Sequence, residues 1–326
     1  MRFLLDTGQR DFAASLNAML TSADTPSAVR DWSRGDHARG RALWRRIAEA
    51  GVFALAVPEA YEGLGPRPLE LTVAFVELGR HAVPGPLVET VTAATLLASL
   101  DDTGPAKRLL PSLASGESTA TLSMGTYALD ADMADLRLAS RRVRTRTELR
   151  LAPPPTTAPR PCLDPARRLF ETPHGGELLA TDPPLAPALL MARLTTAAQA
   201  LGTGLALLDK TVSYVKQRTQ FGTPIGAFQA VKHQLADVKI ALEFARPLLF
   251  GAALTMTEAD MAAAKVTACE AAYRSARTAL QLHGAIGYTA EYDLSLWLTR
   301  ARALRTAWGS PDDCRDTVLN GGGRRC

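Results

Sequence analysis

The sequence lacks the features that are typical of disulfide-rich, metal-binding and membrane-spanning proteins. It contains only four cysteines, and no two of them form a CxxC pair, which argues against a zinc site or a dithiol redox motif. Scattered thiols of this kind favour a reduced protein of the cytoplasm. The N-terminus, MRFLLDTGQRDF, lacks the long apolar core of a signal peptide. No apolar run approaches the roughly 20 residues of a transmembrane helix, so no membrane association is expected. The cysteines are Cys162, Cys269, Cys314 and Cys326.

A strong charge of either sign is also absent. The formal net charge is +4 over 326 residues, which weakly favours anionic ligands and gives no reason to expect nucleic-acid binding. The hydrophobic fraction of 47% and the charged fraction of 21% are typical of a globular protein. A chain of this length can form two or three domains with a sizeable core.

The residue pattern divides the chain into three segments. Residues 1–115 carry apolar residues at helical spacing, interrupted by the Gly/Pro-rich stretch VPEAYEGLGP. Residues 116–183 contain two candidate strands, Thr119–Met124 and Arg137–Ala139, among prolines and a basic run. In residues 184–326 the helical pattern returns and predicts four helices joined by short corners.

One stretch of the third segment combines polar residues with a break in the helical pattern. Arg218–Asp237, RTQFGTPIGAFQAVKHQLAD, follows apolar residues that recur at helical spacing from Met191 to Val215. Glycine and proline at positions 222, 224 and 226 then allow a tight reversal before the period restarts. Arg218 and Gln220 are therefore predicted at a helix–helix corner, from which their side chains can reach a neighbouring chain or a ligand.

This stretch and a second one, QLHGAIGY at Gln281–Tyr288, resemble the paired C-terminal signatures of the acyl-CoA dehydrogenase family. VPEAYEGLGP is similar to the family's N-terminal region, so the resemblance covers about the first 115 and the last 140 residues. It implies a mainly α fold with an N-terminal helical domain at 1–115, a shortened β domain at 116–183 and a C-terminal four-helix bundle at 184–326. It also implies FAD as the cofactor and α,β-desaturation of an acyl-CoA or another acyl thioester, in fatty acid or polyketide metabolism.

The resemblance further implies which residues contact FAD. Arg218 matches the arginine that reaches the pyrophosphate of a flavin held mainly by the neighbouring subunit, a task that suits a charge-assisted bidentate donor. Phe221 would lie near the adenine, and the backbone around Gly284 would touch the same cofactor, with Ala285 in place of the usual glycine. The alternative is that Arg218 only forms a salt bridge with a partner helix. The matching residues are Arg218, Gln220, Phe221, Phe228, Gln229, Gln281, Leu282, His283, Gly284 and Ala285.

Neither position that carries the catalytic base in the family holds a carboxylate here. In most members a partly desolvated glutamate near the C-terminus removes the substrate α-proton. The matching residue is Trp308, and the matching residue for relatives with the base on the helix before the corner is Ala192. The catalytic residue is therefore left unassigned. Other acids, each either a relocated base or a solvent-facing helix charge, are Glu243, Glu270, Glu291 and Asp293.

The middle segment departs most from the family pattern. Ala120–Gly125 stands where relatives have a Thr/Ser-rich flavin loop, and the acidic Gly-Ser-Asp part of that loop is missing. Leu163–Arg168 is similar to the segment that ends the family's β domain. The run of arginines between Arg137 and Arg150 has two interpretations, a solvated strand edge or a contact for the phosphates of coenzyme A. His233 and His283 have no second ligand at a suitable spacing, so no metal site is predicted.

These observations favour a subunit that lacks its own base. The chain resembles the short, actinobacterial type of subunit that shares a flavin with a catalytic partner, which implies a homo-oligomer or a hetero-oligomer with a related dehydrogenase subunit. Electron-transfer flavoprotein is a further expected partner. Two alternatives stay open: a non-catalytic binding or scaffold protein on the same fold, and redirected flavin chemistry on a carrier-bound acyl group.

Overall fold

The structure is a computed structural model and describes residues 4–320. It is mainly helical, as predicted. The α-helices of this part of the chain are α1 (Thr7–Thr21), α2 (Thr25–Ser33), α3 (Ala38–Glu49), α4 (Pro68–Arg80), α5 (Leu87–Ala98), α6 (Thr103–Ala114), α7 (Leu185–Gln217), α8 (Gln229–Thr255), α9 (Glu258–His283), α10 (Leu294–Thr306) and α11 (Pro311–Leu319). Short 3-10 turns lie at Phe53–Ala56, Glu59–Tyr61, Ile225–Ala227 and Gly284–Tyr288.

Side-chain caps explain where several helices begin. The Asp6 carboxylate accepts from the backbone of Gln9 ahead of α1, and the Gln9 side chain returns a contact to the Asp6 backbone, which forms a capping box. Ser310 and Asp313 form the same arrangement at α11, with proline at the first helical position. The Thr257 hydroxyl caps α9. These residues accept hydrogen bonds from backbone N–H groups that have no partner inside the helix.

The strands lie between α6 and α7, within the segment where strands are predicted. They are β1 (Ala120–Ser123), β2 (Tyr127–Leu129), β3 (Leu136–Val143), β4 (Arg146–Leu151), β5 (Leu169–Glu171) and β6 (Glu177–Thr181). A four-stranded sheet has the order β1-β3-β4-β6, in which β1 runs parallel to β3 and the other pairs are antiparallel. A two-stranded sheet pairs β2 with β5. Two further short strands, β7 (Thr219–Gln220) and β8 (Thr223–Pro224), form a hairpin after α7.

The chain folds into two compact units. One comprises the described residues up to Pro26, Thr72–Ala82 and the described residues from Arg193 onward; the other comprises Ser27–Leu71 and Val83–Ala192. The predicted three-domain division follows the change between helices and strands and does not coincide with these units. It stays a prediction about domains.

Two glycines allow α4 and α7 to pack closely in the first unit. Gly79 on α4 faces the backbone of Gln199 on α7, and Gly202 on α7 faces the backbone of Val76 on α4. A methyl group at either glycine would collide with a carbonyl oxygen of the other helix, so the absence of a side chain sets this spacing. Around it, Gln199 and Thr203 are buried, and the Thr203 hydroxyl donates to the Gln199 carbonyl.

The described residues contain no disulfide and no candidate metal cluster. Cys162, Cys269 and Cys314 are free, while Cys326 lies outside the described residues. No group of three or more His, Cys, Asp or Glu side chains between residues 4 and 320 could hold a metal ion. Among the helices of the same residues, none is long and apolar enough to cross a membrane.

Candidate functional site

The predicted corner at Arg218 is a two-residue β-hairpin inserted between two helices. The backbone N–H of Arg218 donates to Tyr214 at the end of α7, and the Arg218 carbonyl accepts from Ile225. Between β7 and β8, Phe221 and Gly222 have φ values of 53° and 77°. Two consecutive residues with positive φ are what the tightest hairpin turns need, and glycine takes this conformation without steric cost. The sequence Gln-Phe-Gly-Thr therefore reverses the chain here.

The Arg218 side chain extends from this hairpin into solvent. Arg218, Gln220 and Gln229 are all exposed. The Arg218 guanidinium makes no hydrogen bond and no ion pair with any residue between 4 and 320, so it does not bridge to another helix of its own chain. Gln220 donates only to the adjacent Thr219 carbonyl, at 2.8 Å. Both side chains keep donors that a ligand or a neighbouring chain can use.

Two exposed phenylalanines flank the same corner. Phe221 is 93% exposed and Phe228, the residue before α8, is 37% exposed. Their rings meet edge to face, with centroids 6.3 Å apart at an angle of 75°. Aromatic side chains of this size are normally buried, so Phe221 leaves apolar surface open to solvent at this corner.

The second motif lies against the first in the same unit. The His283 ring at the end of α9 stacks on Tyr214, with centroids 4.1 Å apart and an interplanar angle of 22°. The Tyr214 hydroxyl donates to the His283 carbonyl at 3.4 Å. Tyr214 precedes Arg218 by one helical turn, so this stack joins the two segments that the family resemblance assigns to FAD.

His283 is buried, and its ring contacts residues of its own chain. Its Nδ1 lies 2.8 Å from the Ala279 carbonyl, so Nδ1 carries the proton and donates. Burial lowers the pKa of His283, and the bond to Ala279 opposes that effect. The Nε2 atom is buried without a hydrogen-bond partner. His233, in contrast, is exposed on α8.

The loop after His283 presents backbone to solvent. Gly284 has φ 62° and ψ −138°, and a methyl group built on it would meet nothing within 4 Å. Ala285 and Gln281 are exposed, and Leu282 is partly buried. The extra methyl of Ala285 therefore occupies open space in the chain itself.

Trp308 occupies a sharp corner between α10 and α11. It has φ 59° and is followed by Gly309 with φ 121°, so the chain turns here through two residues of positive φ. The buried Lys265 on α9 donates to the Gly309 carbonyl at 2.7 Å and to the Arg305 carbonyl at 3.4 Å. Arg193 on α7 also lies against Gly309. The Lys265 hydrogen bonds thus fix the corner at which the family's catalytic glutamate is expected.

The remaining carboxylates considered as bases are engaged elsewhere or exposed. Glu270 pairs with Arg305 at 2.8 Å and with Arg315 at 3.6 Å. Glu243 lies 3.4 Å from Arg246 on the outer face of α8. Glu291 and Asp293 each have interactions of their own. Ala192, at the alternative base position, is fully buried.

The basic run of the middle segment divides between two environments. Arg144 and Arg146 lie exposed at the turn between β3 and β4. Arg141 instead donates to the Thr172 carbonyl and lies against the His174 ring. A pocket of about 530 Å³ opens beside it, lined by Gly125, Thr126, Ser140, Arg141, Arg142, Thr156, Thr157, Glu171, Thr172, Pro173 and His174.

The stretch Ala120–Gly125 begins with β1, which is buried throughout. The Ser123 hydroxyl donates to the Gly125 carbonyl at 2.9 Å, so it is turned toward its own loop. The buried Thr121 hydroxyl has no hydrogen-bond partner. In the domain-end segment, Asp164 is buried and accepts from the Ala166 backbone at 3.0 Å, which fixes the turn before β5.

Sequence reasoning missed Lys265 and Tyr214. Lys265 falls on the stripe of α9 that also carries Met261, Ala268 and Ala272, all buried. A lysine at helical spacing within an alanine-rich apolar face is a signal that it is buried. Tyr214 gave no comparable signal, because its role depends on contact with a residue 69 positions away.

Comparisons with known proteins assign the fold and then the family. Two family models match: "Acyl-CoA dehydrogenase, N-terminal domain" over residues 7–117 and "Acyl-CoA dehydrogenase, C-terminal domain" over residues 186–321. The crystal structure of the ChsE4-ChsE5 complex from Mycobacterium tuberculosis has the same fold, with a TM-score of 0.87 and 22% identity over 100% of both chains. The structure titled PigA with FAD and proline is similar at a TM-score of 0.85 and 19% identity, again over 100% of both chains.

A curated relative is closer in sequence. Acyl-CoA dehydrogenase IpdE2 of Mycobacterium tuberculosis is 34% identical over 289 residues, which cover 88% of this chain and 88% of the relative. The chain therefore belongs to the acyl-CoA dehydrogenase family, a family of flavin-dependent oxidoreductases. The family and the mainly α fold expected from the two motifs are confirmed.

Proposed function

We propose that this chain is a subunit of an FAD-dependent acyl-CoA dehydrogenase that lacks its own base and works with a related subunit that supplies one. A single observation carries the proposal: the two positions that hold the family's base are occupied by Trp308 and Ala192. Neither an indole nor a methyl group can remove the α-proton of a thioester. The chain would share its flavin with the partner subunit.

The described residues fit FAD. The Arg218 guanidinium has unused donors in solvent, and arginine binds phosphate oxygens with two parallel hydrogen bonds. Gly284 leaves its backbone open to a ligand. When bound, FAD supplies the acceptor for the β-hydride of the thioester. Arg218 would hold the pyrophosphate, Phe221 would cover the adenine, and the loop at Gly284–Ala285 would contact the same cofactor.

Glu270 and Glu77 do not replace the missing base. Glu270 forms ion pairs with Arg305 at 2.8 Å and with Arg315 at 3.6 Å, so its carboxylate is already engaged. A catalytic base instead needs a desolvated site that raises its pKa. Desolvation does raise the pKa of Glu77 on α4, with Arg80 and Arg246 opposing it. That residue pairs with Arg80 at 3.8 Å and matches neither family position.

The pocket beside Arg141 is proposed as the place for the phosphates of coenzyme A. Two arginines and five Ser/Thr hydroxyl groups line it, and these groups are donors for phosphate oxygens. Arg141 is held in place by the Thr172 carbonyl and His174. The negative charge of Glu171 in this pocket is offset by Arg160, which binds it directly. This proposal separates Arg141 and Arg142 from Arg144 and Arg146, which are exposed at the hairpin turn.

An exposed apolar stripe on α8 supports association with a second subunit. Ile240, Phe244 and Leu248 recur every four residues on one face and are 54%, 69% and 47% exposed. A shallow pocket beside Phe244 runs between α8 and α9. Contiguous apolar surface of this kind marks protein interfaces. The similar structure of the ChsE4-ChsE5 complex is itself an assembly of two differently named chains.

The test compares the isolated chain with a mixed sample. The chain is purified alone and together with a dehydrogenase subunit from the same organism that retains the catalytic glutamate. Anaerobic flavin bleaching is then followed with straight and branched acyl-CoAs. We expect bleaching by the mixture and none by the isolated chain. A Glu→Gln variant of the partner's base is the control and should abolish bleaching.

Other outcomes assign other functions. Rapid bleaching by the isolated chain would refute the proposal and show that another residue acts as the base. A colourless mixture without bound flavin would instead favour the scaffold protein. The acyl chain, an electron-transfer flavoprotein partner and a cytoplasmic location stay predictions.

A further inference from the structure

A further pocket lies in the unit that contains α1, the end of α4, α7 and α10. No residue of the family motifs lines this pocket. Its volume is about 360 Å³. Basic and hydrogen-bonding groups dominate its polar lining, with one carboxylate among them. The side chains on which the argument depends are Asn17, Arg80, His81, Asp209, Lys210 and Trp297.

Arg80 and Trp297 form the fixed wall of this pocket. Arg80 donates from Nη2 to Asp209 at 2.7 Å, while its Nε lies 3.8 Å from Glu77, beyond hydrogen-bond distance. The Trp297 indole donates to the Arg80 carbonyl at 2.8 Å, which holds backbone and ring together. A guanidinium has five N–H donors, so Arg80 keeps donors that Asp209 does not use.

The Lys210 ammonium has no acceptor in the described chain. Its Nζ lies 4.1 Å from the centre of the Trp297 ring, and this cation–π contact keeps the ammonium over the pocket. Between residues 4 and 320 it makes no hydrogen bond and no ion pair, which leaves all three of its donors available. Burial lowers the pKa of Lys210, and the negative charge of Asp293 opposes this. An anion in the pocket would supply the missing counter-charge.

His81 is a third basic group of the pocket, and the charge of its ring depends on whether an anion is bound there. Its Nε2 lies 2.8 Å from the Asn17 amide oxygen, so Nε2 carries the proton of the neutral ring. Burial, followed by the positive charges of Arg80 and Lys210, lowers the pKa of His81 to about 4. An anion between these groups would offset the two charges and favour protonation of Nδ1, which then becomes a further donor.

We propose that this pocket binds a tetrahedral oxyanion, either free phosphate or the terminal phosphate of a small ester, through Lys210, Arg80 and protonated His81. The chemistry of the wall selects such a ligand, since it combines several N–H donors with a single carboxylate that is already paired. Asp209 remains bound to Arg80 and excludes a second anion on that side. The site is separate from the residues proposed for FAD and coenzyme A.

Sulfate is the first probe, because it keeps two negative charges between pH 5 and 8. Isothermal titration calorimetry at constant ionic strength compares the full chain with Lys210→Met and with Lys107→Met, an exposed lysine of the other unit. We expect at least tenfold weaker sulfate binding for Lys210→Met and an unchanged affinity for Lys107→Met. No binding at 50 mM sulfate, or equal binding by all three proteins, would overturn the proposal.

The pH dependence supplies an independent test that does not rely on Lys210→Met folding. Sulfate should bind the wild-type chain at least threefold more tightly at pH 5.5 than at pH 7.5, because protonation of His81 adds a charge and a donor. His81→Gln can still donate to Asn17 and should lose this dependence. If His81→Gln keeps the full pH dependence, protonated His81 does not bind the anion and the proposed site is refuted.

Two further ligands identify the source of the anion. If inorganic phosphate binds as sulfate does and AMP does not bind, the natural ligand is a free anion. If AMP binds and this binding is lost in Lys210→Met, the ligand is a phosphate ester. Arg218→Ala should retain sulfate affinity, since Arg218 belongs to the proposed FAD surface. Loss of sulfate binding in Arg218→Ala would show that the probe binds there and would refute the separate site.

Discussion

Replacement of Arg218 by alanine tests the cofactor assignment directly. The guanidinium makes no hydrogen bond or ion pair within residues 4–320, and the residue's two backbone bonds, to Tyr214 and Ile225, do not depend on its side chain. The free energy of unfolding of the apoprotein should therefore change by less than about 0.5 kcal/mol, as for other exposed sites. Flavin binding should lose a hydrogen bond to a charged group, worth roughly 1.5–3 kcal/mol. At 1.4 kcal/mol per factor of ten, this predicts a Kd for FAD about 10- to 150-fold higher.

The assay is FAD titration of the apoprotein by fluorescence quenching, in the assembly in which the wild-type chain retains flavin. Urea denaturation of the same samples separates binding from folding. Arg146→Ala is the matched control, because Arg146 is an exposed arginine at the β3–β4 turn, away from the hairpin. An unchanged FAD affinity in Arg218→Ala would refute the cofactor role and leave the salt bridge with a partner helix as the explanation. A similar loss in Arg146→Ala would show a general effect of charge.

Three other perturbations have defined outcomes. Phe244→Asp places a charge on the exposed apolar stripe of α8 and should shift the assembly toward monomer. Size-exclusion chromatography with light scattering measures this shift. A wild-type chain that is already monomeric at micromolar concentration would contradict the proposed interface. Trp308→Glu should not by itself restore acyl-CoA turnover to the isolated chain, because the middle segment, predicted to be a shortened β domain, is unchanged. Rapid flavin bleaching by this variant would show that the base alone was missing. Burial raises the pKa of the Asp130 carboxyl to about 8. The protonated carboxyl therefore contributes its full stabilisation of the folded state below its unfolded pKa, near 4, and this contribution is lost as the pH rises through 8. Asp130→Asn should therefore gain stability relative to wild type between pH 5 and 8, by more than 1 kcal/mol in urea denaturation, and a difference that is constant over this range would contradict the assignment.

The predicted elements and the observed ones agree where a helical period is long. The period from Met191 to Val215 lies within α7, and the glycines and proline after it coincide with the hairpin and the 3-10 turn before α8. The two shortest helices, α2 and α11, were not predicted, because nine residues give too few repeats to establish a period. The capping box at Ser310 and Asp313 was a usable signal for α11.

The strands were predicted less completely for a related reason. β1 and part of β3 were located and β4 was missed, while β2, β5 and β6 have three to five residues and no clear alternation. They are stabilised by partners far away in the chain, such as the pairing of β2 with β5 across about forty residues. Sequence pattern reports what a segment prefers locally and carries little information about such pairing.

The sequence alone determined the family, the mainly α fold and the absence of a carboxylate at both base positions, because these depend on residue identity and local spacing. Tertiary structure decided which side chains are left without partners. The Arg218 guanidinium has no hydrogen-bond or ion-pair partner among residues 4–320, Lys265 is buried beneath Gly309, and Arg80 meets Asp209 across 129 positions. Such contacts arise when separate helices pack, and packing brings together residues whose distance in the sequence is unrelated to their distance in space.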